Sequence, residues 1–335
     1  MKLDIRAVSY KVPKYGMLVV FIAAFLCSCV NDYEYPFFQS KKVDRSYLTK
    51  NVIVVVADGL RYTESWSDSL HQFMPFMTNK MLKEGVVNTR FYNKGDTYTS
   101  AGHTSLTTGI YQTINNSGGE WPANPSFMQY WNQVYGSNQQ KSWIITSKDK
   151  LAVLADCINP FWQGKYTPSL NSGVDGKGFG SGYREDSLTL KTTFEILKLN
   201  HPNLVLINFR DPDFSAHSGI WNSYTSSISK TDEYIFRLWA YLQNDPVYKN
   251  TTTLFVTSDH GRHLDGVADG FVSHGDGCDG CRHLGFFACG PDFKNGMITS
   301  VTREQIDIPA TIAELMGFEL PNSNGHVMTE LFGRR

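Results

Sequence analysis

The run Asn51 to Gly59, NVIVVVADG, restricts this chain more than any other stretch. Five β-branched residues follow one another from Val52 to Val56 with no polar alternation, and the run then turns into Ala57, Asp58 and Gly59. Such a run suits a strand covered on both faces, as in a parallel sheet with helices on either side. A carboxylate just past its carboxyl end lies on the edge where open α/β sheets place their ligands. Thr252 to Gly261, TTLFVTSDHG, repeats the design and delivers Asp259 and His260. Leu204 to Phe209 reads as a third buried strand, followed by Asp211, Asp213 and His217.

Between these strands the pattern alternates. Helices are expected over Met74 to Glu84, from near Ser100, over Ser126 to Tyr135, Asp186 to Leu199, Ser226 to Leu242 and Arg303 to Met316. Further strands are expected at Val86 to Tyr92, Ser142 to Ile145 and Leu284 to Cys289. Asn159 to Tyr183, dense in glycine, reads as a surface loop, with a substrate lid as the alternative. This alternation predicts one layered α/β domain with a mostly parallel central sheet, spanning residues 51–335 of the 335.

The first 29 residues are read as a targeting segment. Lys2, Arg6, Lys11 and Lys14 precede an apolar stretch from Met17 to Leu26, which ends in LCSC. That stretch is shorter than a membrane span. The ending resembles the lipobox of bacterial lipoproteins, which implies lipidation at Cys29, export, and attachment to a membrane through an N-terminal lipid on the periplasmic face or the cell surface; a single membrane anchor helix is the alternative, and both readings export the chain. Residues 30–50 then read as a tether. With Lys plus Arg 31 against Asp plus Glu 32, the net charge of -1 offers no basic surface for nucleic acid. Export also permits disulfides, and Cys278 with Cys281, in CDGC, reads as a local disulfide, with free thiols or metal ligation as alternatives. Tyr98, Trp121, Trp131 and Trp162 are candidate rings for a substrate pocket.

The carboxylates and imidazoles fall into two sets. Asp213 and His217 are four apart, and His283 opens the strand before Cys289, giving two nitrogens and an oxygen. Asp58, Asp259 and His260 supply the same donor types. Two such sets predict a two-metal site, since paired cations can hold the attacking and leaving oxygens of an in-line phosphoryl transfer. Zn²⁺ suits these ligands, with Mn²⁺ as a substitute. A nucleophile is then needed, and DTYTSAGHTSLTTG offers Thr99 at a loop-to-helix junction, with Thr97 and Ser100 as rivals. Lys148, Lys150, Arg210, Arg262 and Arg282 are candidates for added positive charge.

These segments together resemble the alkaline phosphatase superfamily, and more closely its type I phosphodiesterase and nucleotide pyrophosphatase branch. Thr99 to Gly109 is similar to the family's nucleophile motif of threonine, three residues, histidine and a hydroxyl-rich stretch to TG. The resemblance implies that Thr99 becomes transiently phosphorylated and also binds metal. ADG then carries Asp58, PDFSAH carries Asp213 and His217, and SDHG carries Asp259 and His260. His283, in HLGFFACGP, is taken as the last metal histidine, with His274 in SHGDG as the competitor. An alkaline-phosphatase-like α/β/α fold is implied, together with hydrolysis of a small phosphorylated molecule, either a phosphate diester or a monoester. Phosphonate hydrolysis and sulfatase-like hydrolysis are the alternatives within the superfamily, and non-catalytic binding is the alternative outside it. The chain departs from the family in having Ala101 and Gly102 where proline and asparagine are usual, and it lacks the CxPSR or SxPSR segment of sulfatases.

Overall fold

The computed structural model describes residues 39–136 and 138–333. The expected signal segment lies outside them. The elements in chain order are β1 (Asn51–Ala57), β2 (Gly85–Tyr92), α1 (Thr99–Thr108), α2 (Phe127–Tyr135), β3 (Ser142–Thr146), β4 (Ser169–Ser172), α3 (Asp186–Asn200), β5 (Leu204–Phe209), α4 (Asp211–Ala216), α5 (Trp221–Asn244), β6 (Thr252–Thr257), α6 (Asp279–Arg282), β7 (His283–Cys289), β8 (Met297–Thr299), β9 (Arg303–Glu304) and α7 (Asp307–Met316).

One sheet runs in the order β4-β3-β5-β1-β6-β7-β2-β8, with β9 beside β2. β1 sits at its centre, parallel to β5 on one side and β6 on the other. β7 alone of the described strands runs against its neighbours, β6 and β2. Alternate residues of β1 feed opposite cores, as the period of a strand requires. Val52, Val54 and Val56 join Leu106 of α1, Phe127 and Met128 of α2 and Ile312 of α7. Ile53, Val55 and Ala57 join Leu197 of α3 and Ile228, Ile235 and Leu238 of α5. The chain is therefore α/β/α in layers. Each fully buried aliphatic side chain stabilises this arrangement by roughly 1.5–3 kcal/mol.

Local departures from expectation have visible causes. The Met74 to Glu84 segment winds as a π turn and a 3-10 turn over 77–84 instead of an α-helix. Its start is held from outside, because Asp232 of α5 accepts hydrogen bonds from the amides of Phe76 (2.6 Å) and Met77 (2.9 Å). α7 starts at Asp307, not Arg303, because Arg303 and Glu304 pair with β2 and Asp307 accepts from the Glu304 amide. The glycine-rich stretch 159–183 contributes β4, which pairs parallel with β3. The stretch read as a tether is pinned from Ser40 onward: Ser40 donates to the Glu319 carbonyl at 2.6 Å, and Asp292 accepts from the amides of Leu48 and Thr49. Trp131 and Trp162 are core side chains, leaving Tyr98 and Trp121 as the exposed rings of the four candidates.

Candidate active site

Four parallel strands, β3, β5, β1 and β6, end at the same edge, and the residues just past their ends form the site. β1 delivers Asp58 and β6 delivers Asp259 and His260. β5 runs into α4, which carries Asp213 in its first turn and His217 at its end. β3 delivers Lys148 two residues past its last. Gly59 turns the chain with φ of 63°, and a Cβ there would meet Arg262 and Asp213 at 2.7 and 2.9 Å. Thr99 is the first residue of α1 and is buried, with Tyr98 as the N-cap.

The Lys148 ammonium lies among these groups, 2.8 Å from Asp58 Oδ1, 2.7 Å from Asp213 Oδ2 and 3.1 Å from Thr99 Oγ1. Burial opposes its charge, but Asp213 and Asp58 more than offset this and raise its pKa above the ordinary lysine value. Burial likewise works against the Asp213 carboxylate, and Lys148, His217, His274 and Arg262 hold it well below the usual range nonetheless. Asp58, buried and facing Asp259, is raised. Asp259 is lowered, with His260 and His103 outweighing its burial. His260 is pushed down to about 3, chiefly by burial, and is therefore neutral.

Two groups of ligand atoms emerge. Asp213, His260 and His274 form one, and Asp58, His103 and Asp259 the other, with the ligand atoms of each group all within 4.8 Å of one another. His217 Nε2 adds to the first at 3.2 Å from Asp213 Oδ1. His260 Nε2 lies 3.7 Å from Asp58 Oδ1 and 3.5 Å from Asp259 Oδ2, so it borders both groups. These residues fit a cation on an observation independent of ligand type. The Nδ1 of His260 is engaged with the Gly261 carbonyl, and both His260 Nε2 and Asp259 Oδ2 are buried without a hydrogen bond. Buried polar atoms of this kind are costly unless something satisfies them.

The structure thus brings together Asp58, Thr99, Asp213, His217, Asp259 and His260, and it places His283 elsewhere. His283 reaches the correct sheet edge, but β7 turns its ring between Tyr62 and Tyr92, with centroids 3.7 and 4.7 Å away, and its Nε2 bonds the Thr89 carbonyl. The position beside Asp213 belongs to His274, whose Nε2 is 3.4 Å from Asp213 Oδ1 and whose ring stacks on His260 at 3.7 Å.

Three further residues support the site. Asn208 of β5 donates to Asp58 Oδ2 at 2.9 Å and reaches His103 Nε2 at 3.2 Å. Its one sequence signal was a polar residue inside the apolar run LVLINF. His103 bonds the Thr99 carbonyl through Nδ1 at 2.8 Å, tying the first turn of α1 to Asn208. Arg262 is fully buried and bonds Asp213 and the carbonyls of Phe271 and Val272. Of the other cations, Lys150 bonds Asn116, while Arg210 pairs with Asp211 and Arg282 holds the carbonyls of Gly277, Asn93 and Gly95. The Ser100 amide donates to Asn116 Oδ1 at 2.9 Å.

The profile of the type I phosphodiesterase/nucleotide pyrophosphatase family matches residues 52–263, which include Asp58, Thr99, Asp213, His217, Asp259 and His260 but neither His274 nor His283. No curated protein matches the chain. Among solved structures, a phosphonate monoester hydrolase from Silicibacter pomeroyi is 14% identical with a TM-score of 0.58, over 84% of this chain and 76% of that one. A lipoteichoic acid synthase from Listeria monocytogenes is 14% identical with a TM-score of 0.59, over 82% and 73%. A protein in the alkaline phosphatase superfamily from Vibrio parahaemolyticus is 16% identical with a TM-score of 0.60, over 88% and 73%. These likenesses show an alkaline-phosphatase-like fold.

Proposed function

Because the chain belongs to the type I phosphodiesterase/nucleotide pyrophosphatase family, hydrolases of the alkaline phosphatase superfamily, we propose that it cleaves phosphate diesters or monoesters through a phosphothreonine formed at Thr99. The observation that carries this reading is the buried Thr99 hydroxyl, 3.1 Å from Lys148 Nζ and set among two Asp/His groups that fit divalent cations. Zn²⁺, or Mn²⁺ in its place, held by Asp213, His217 and His274 and by Asp58, Asp259 and His260, would supply the positive charge that favours a threonine alkoxide and neutralises phosphoryl oxygens.

The chain's own groups account for the rest. α1 fixes Thr99 at its first turn, and the His103 bond to the Thr99 carbonyl holds that turn against Asn208. Lys148 donates to Thr99 Oγ1 and stabilises negative charge as it develops there, in a site from which bulk water is largely excluded. Thr99, its hydroxyl proton given up to water as the alkoxide forms, attacks phosphorus through Oγ1. The bond from phosphorus to the ester oxygen breaks, the leaving oxygen takes a proton from water, and a second water later cleaves the phosphothreonine, returning the Thr99 hydroxyl and the free phosphate or phosphomonoester. His217, whose side chain is nearly half exposed, marks the side from which that water arrives.

The substrate in this proposal is a small phosphorylated molecule. The enzyme is exported and anchored through a lipid on Cys29, which rests on the LCSC ending of the targeting segment. Zinc-dependent hydrolysis of p-nitrophenyl phosphate, bis-p-nitrophenyl phosphate, a phenyl phosphonate ester and p-nitrophenyl sulfate, measured beside Thr99→Ala, tests it. The expected result is turnover of a phosphate ester that falls about 10³-fold or more in the variant. Full activity in Thr99→Ala removes the nucleophile, and preference for the phosphonate or the sulfate ester replaces the substrate class.

A further inference from the structure

Beside the active site, a second set of metal-binding side chains is gathered by one loop. His263, Asp276, Cys278 and Cys281 each point a ligand atom into a common space, and all four atoms lie within 4.8 Å of one another. A tetrahedral ion with nitrogen or oxygen ligands at about 2.0 Å and sulfur at about 2.3 Å sets neighbouring ligand atoms about 3.3–3.8 Å apart. The measured separations are 3.3 Å for His263 Nε2 to Asp276 Oδ1, 3.4 Å for Sγ to Sγ, and 3.6 Å for Cys281 Sγ to Asp276 Oδ1. The two thiols are free, not joined as the sequence suggested.

The histidine carries the second, independent observation. His263 is more than nine-tenths buried, and its Nδ1 lies 2.8 Å from Asp269 Oδ1. A proton on Nδ1 donated to that carboxylate leaves the Nε2 lone pair facing inward, where it makes no hydrogen bond. A carboxylate on the far nitrogen of a metal-binding histidine is the usual device for fixing its tautomer and raising its basicity. We propose that His263, Asp276, Cys278 and Cys281 form a structural Zn²⁺ site, distinct from the two groups around Thr99 and independent of the hydrolytic reading.

Its position gives it a consequence. The four ligands bracket the loop that carries His274, and His263 directly follows Arg262, the partner of Asp213. The same loop crosses the start of α1, where Thr97 accepts the Gly277 amide through Oγ1 at 3.2 Å and its carbonyl lies 2.9 Å from His274 Nδ1. A metal clip at the loop's base holds His274 in register with His260 and Asp213.

Cobalt substitution of the full chain reads this site selectively, because no sulfur lies in the groups around Thr99. The Co²⁺-loaded protein should show a thiolate-to-cobalt charge-transfer absorption in the near ultraviolet. The Cys278→Ser/Cys281→Ser protein should lose that band together with at least one equivalent of zinc by elemental analysis. The proposal is overturned by absence of the band in the wild-type chain, by its persistence in the double variant, or by an intact mass showing Cys278 and Cys281 oxidised to a disulfide. Should the double variant fail to fold, the wild-type spectrum and mass still decide the matter.

Discussion

Lys148 Nζ bridges Asp58 Oδ1 and Asp213 Oδ2 at 2.8 and 2.7 Å, so one buried ammonium compensates two carboxylates, one just past the end of β1 and the other in the first turn of α4. Replacing it with methionine leaves those carboxylates facing one another with one positive charge fewer. In divalent-free buffer Lys148→Met should therefore lose about 3–5 kcal/mol of stability, the cost of removing one partner from a buried ion pair. Saturating Zn²⁺ should restore most of that loss. Urea melts with and without metal check this, and an equal loss in both conditions would count against carboxylates shared between lysine and metal.

His274 and His283 separate in a paired test. His274→Ala removes the nitrogen beside Asp213 and the ring stacked on His260. Activity should fall by more than the ~10–100-fold that loss of a supporting contact to a metal ligand costs. His283→Ala should keep activity within a few-fold and lower the melting temperature instead, because its ring is packed between Tyr62 and Tyr92. A dead His283→Ala beside a normal His274→Ala reverses the assignment.

That pair also shows where the sequence stops being legible. Asp58 and Asp259 could be read directly, because a both-faces-buried strand announces its own end and the next residues necessarily sit at the sheet edge. His283 passed the same reading, since it does open β7 at that edge. What turned its side chain aside was the pairing with Tyr92 and the stacking on Tyr62, contacts that come from elsewhere in the chain. Asn208 was visible as a polar residue in an apolar strand, yet its role depends on Asp58, 150 residues away. β4 had no pattern to find, because SLNS becomes a strand only through its pairing with β3.

Gly102 stands where the family usually has asparagine, and the fold supplies a reason. A Cβ at this position would run into the backbone carbonyl of Asp259, and no flexible side chain is available to yield. In an exposed helix Gly→Ala stabilises by about 1 kcal/mol. Here the collision should win, pushing α1 and Thr99 away from Asp259, and a displacement near 1 Å can cost about 100-fold in rate. Gly102→Ala is thus expected to be less active and no more stable, as turnover and thermal melts would show; a more stable, fully active variant refutes this close approach.

Asp232 offers a pH test away from the active site. Burial in α5 raises its carboxyl from 3.8 to about 6, against the opposing pull of the Phe76 and Met77 amides. Between those two values the folded chain keeps a proton that the unfolded chain has released. Its contribution is therefore fully present below the unfolded value and lost as pH rises through about 6. Asp232→Asn cannot titrate, and its amide keeps only one acceptor for two backbone donors, so it should cost about 1–3 kcal/mol at the acid end. Toward about pH 7 the gap between variant and wild type should narrow, because the wild type loses the benefit of its bound proton. Urea melts from about pH 4 to 7 measure that gap, and a difference that stays constant across the range would place the Asp232 carboxyl at its ordinary value.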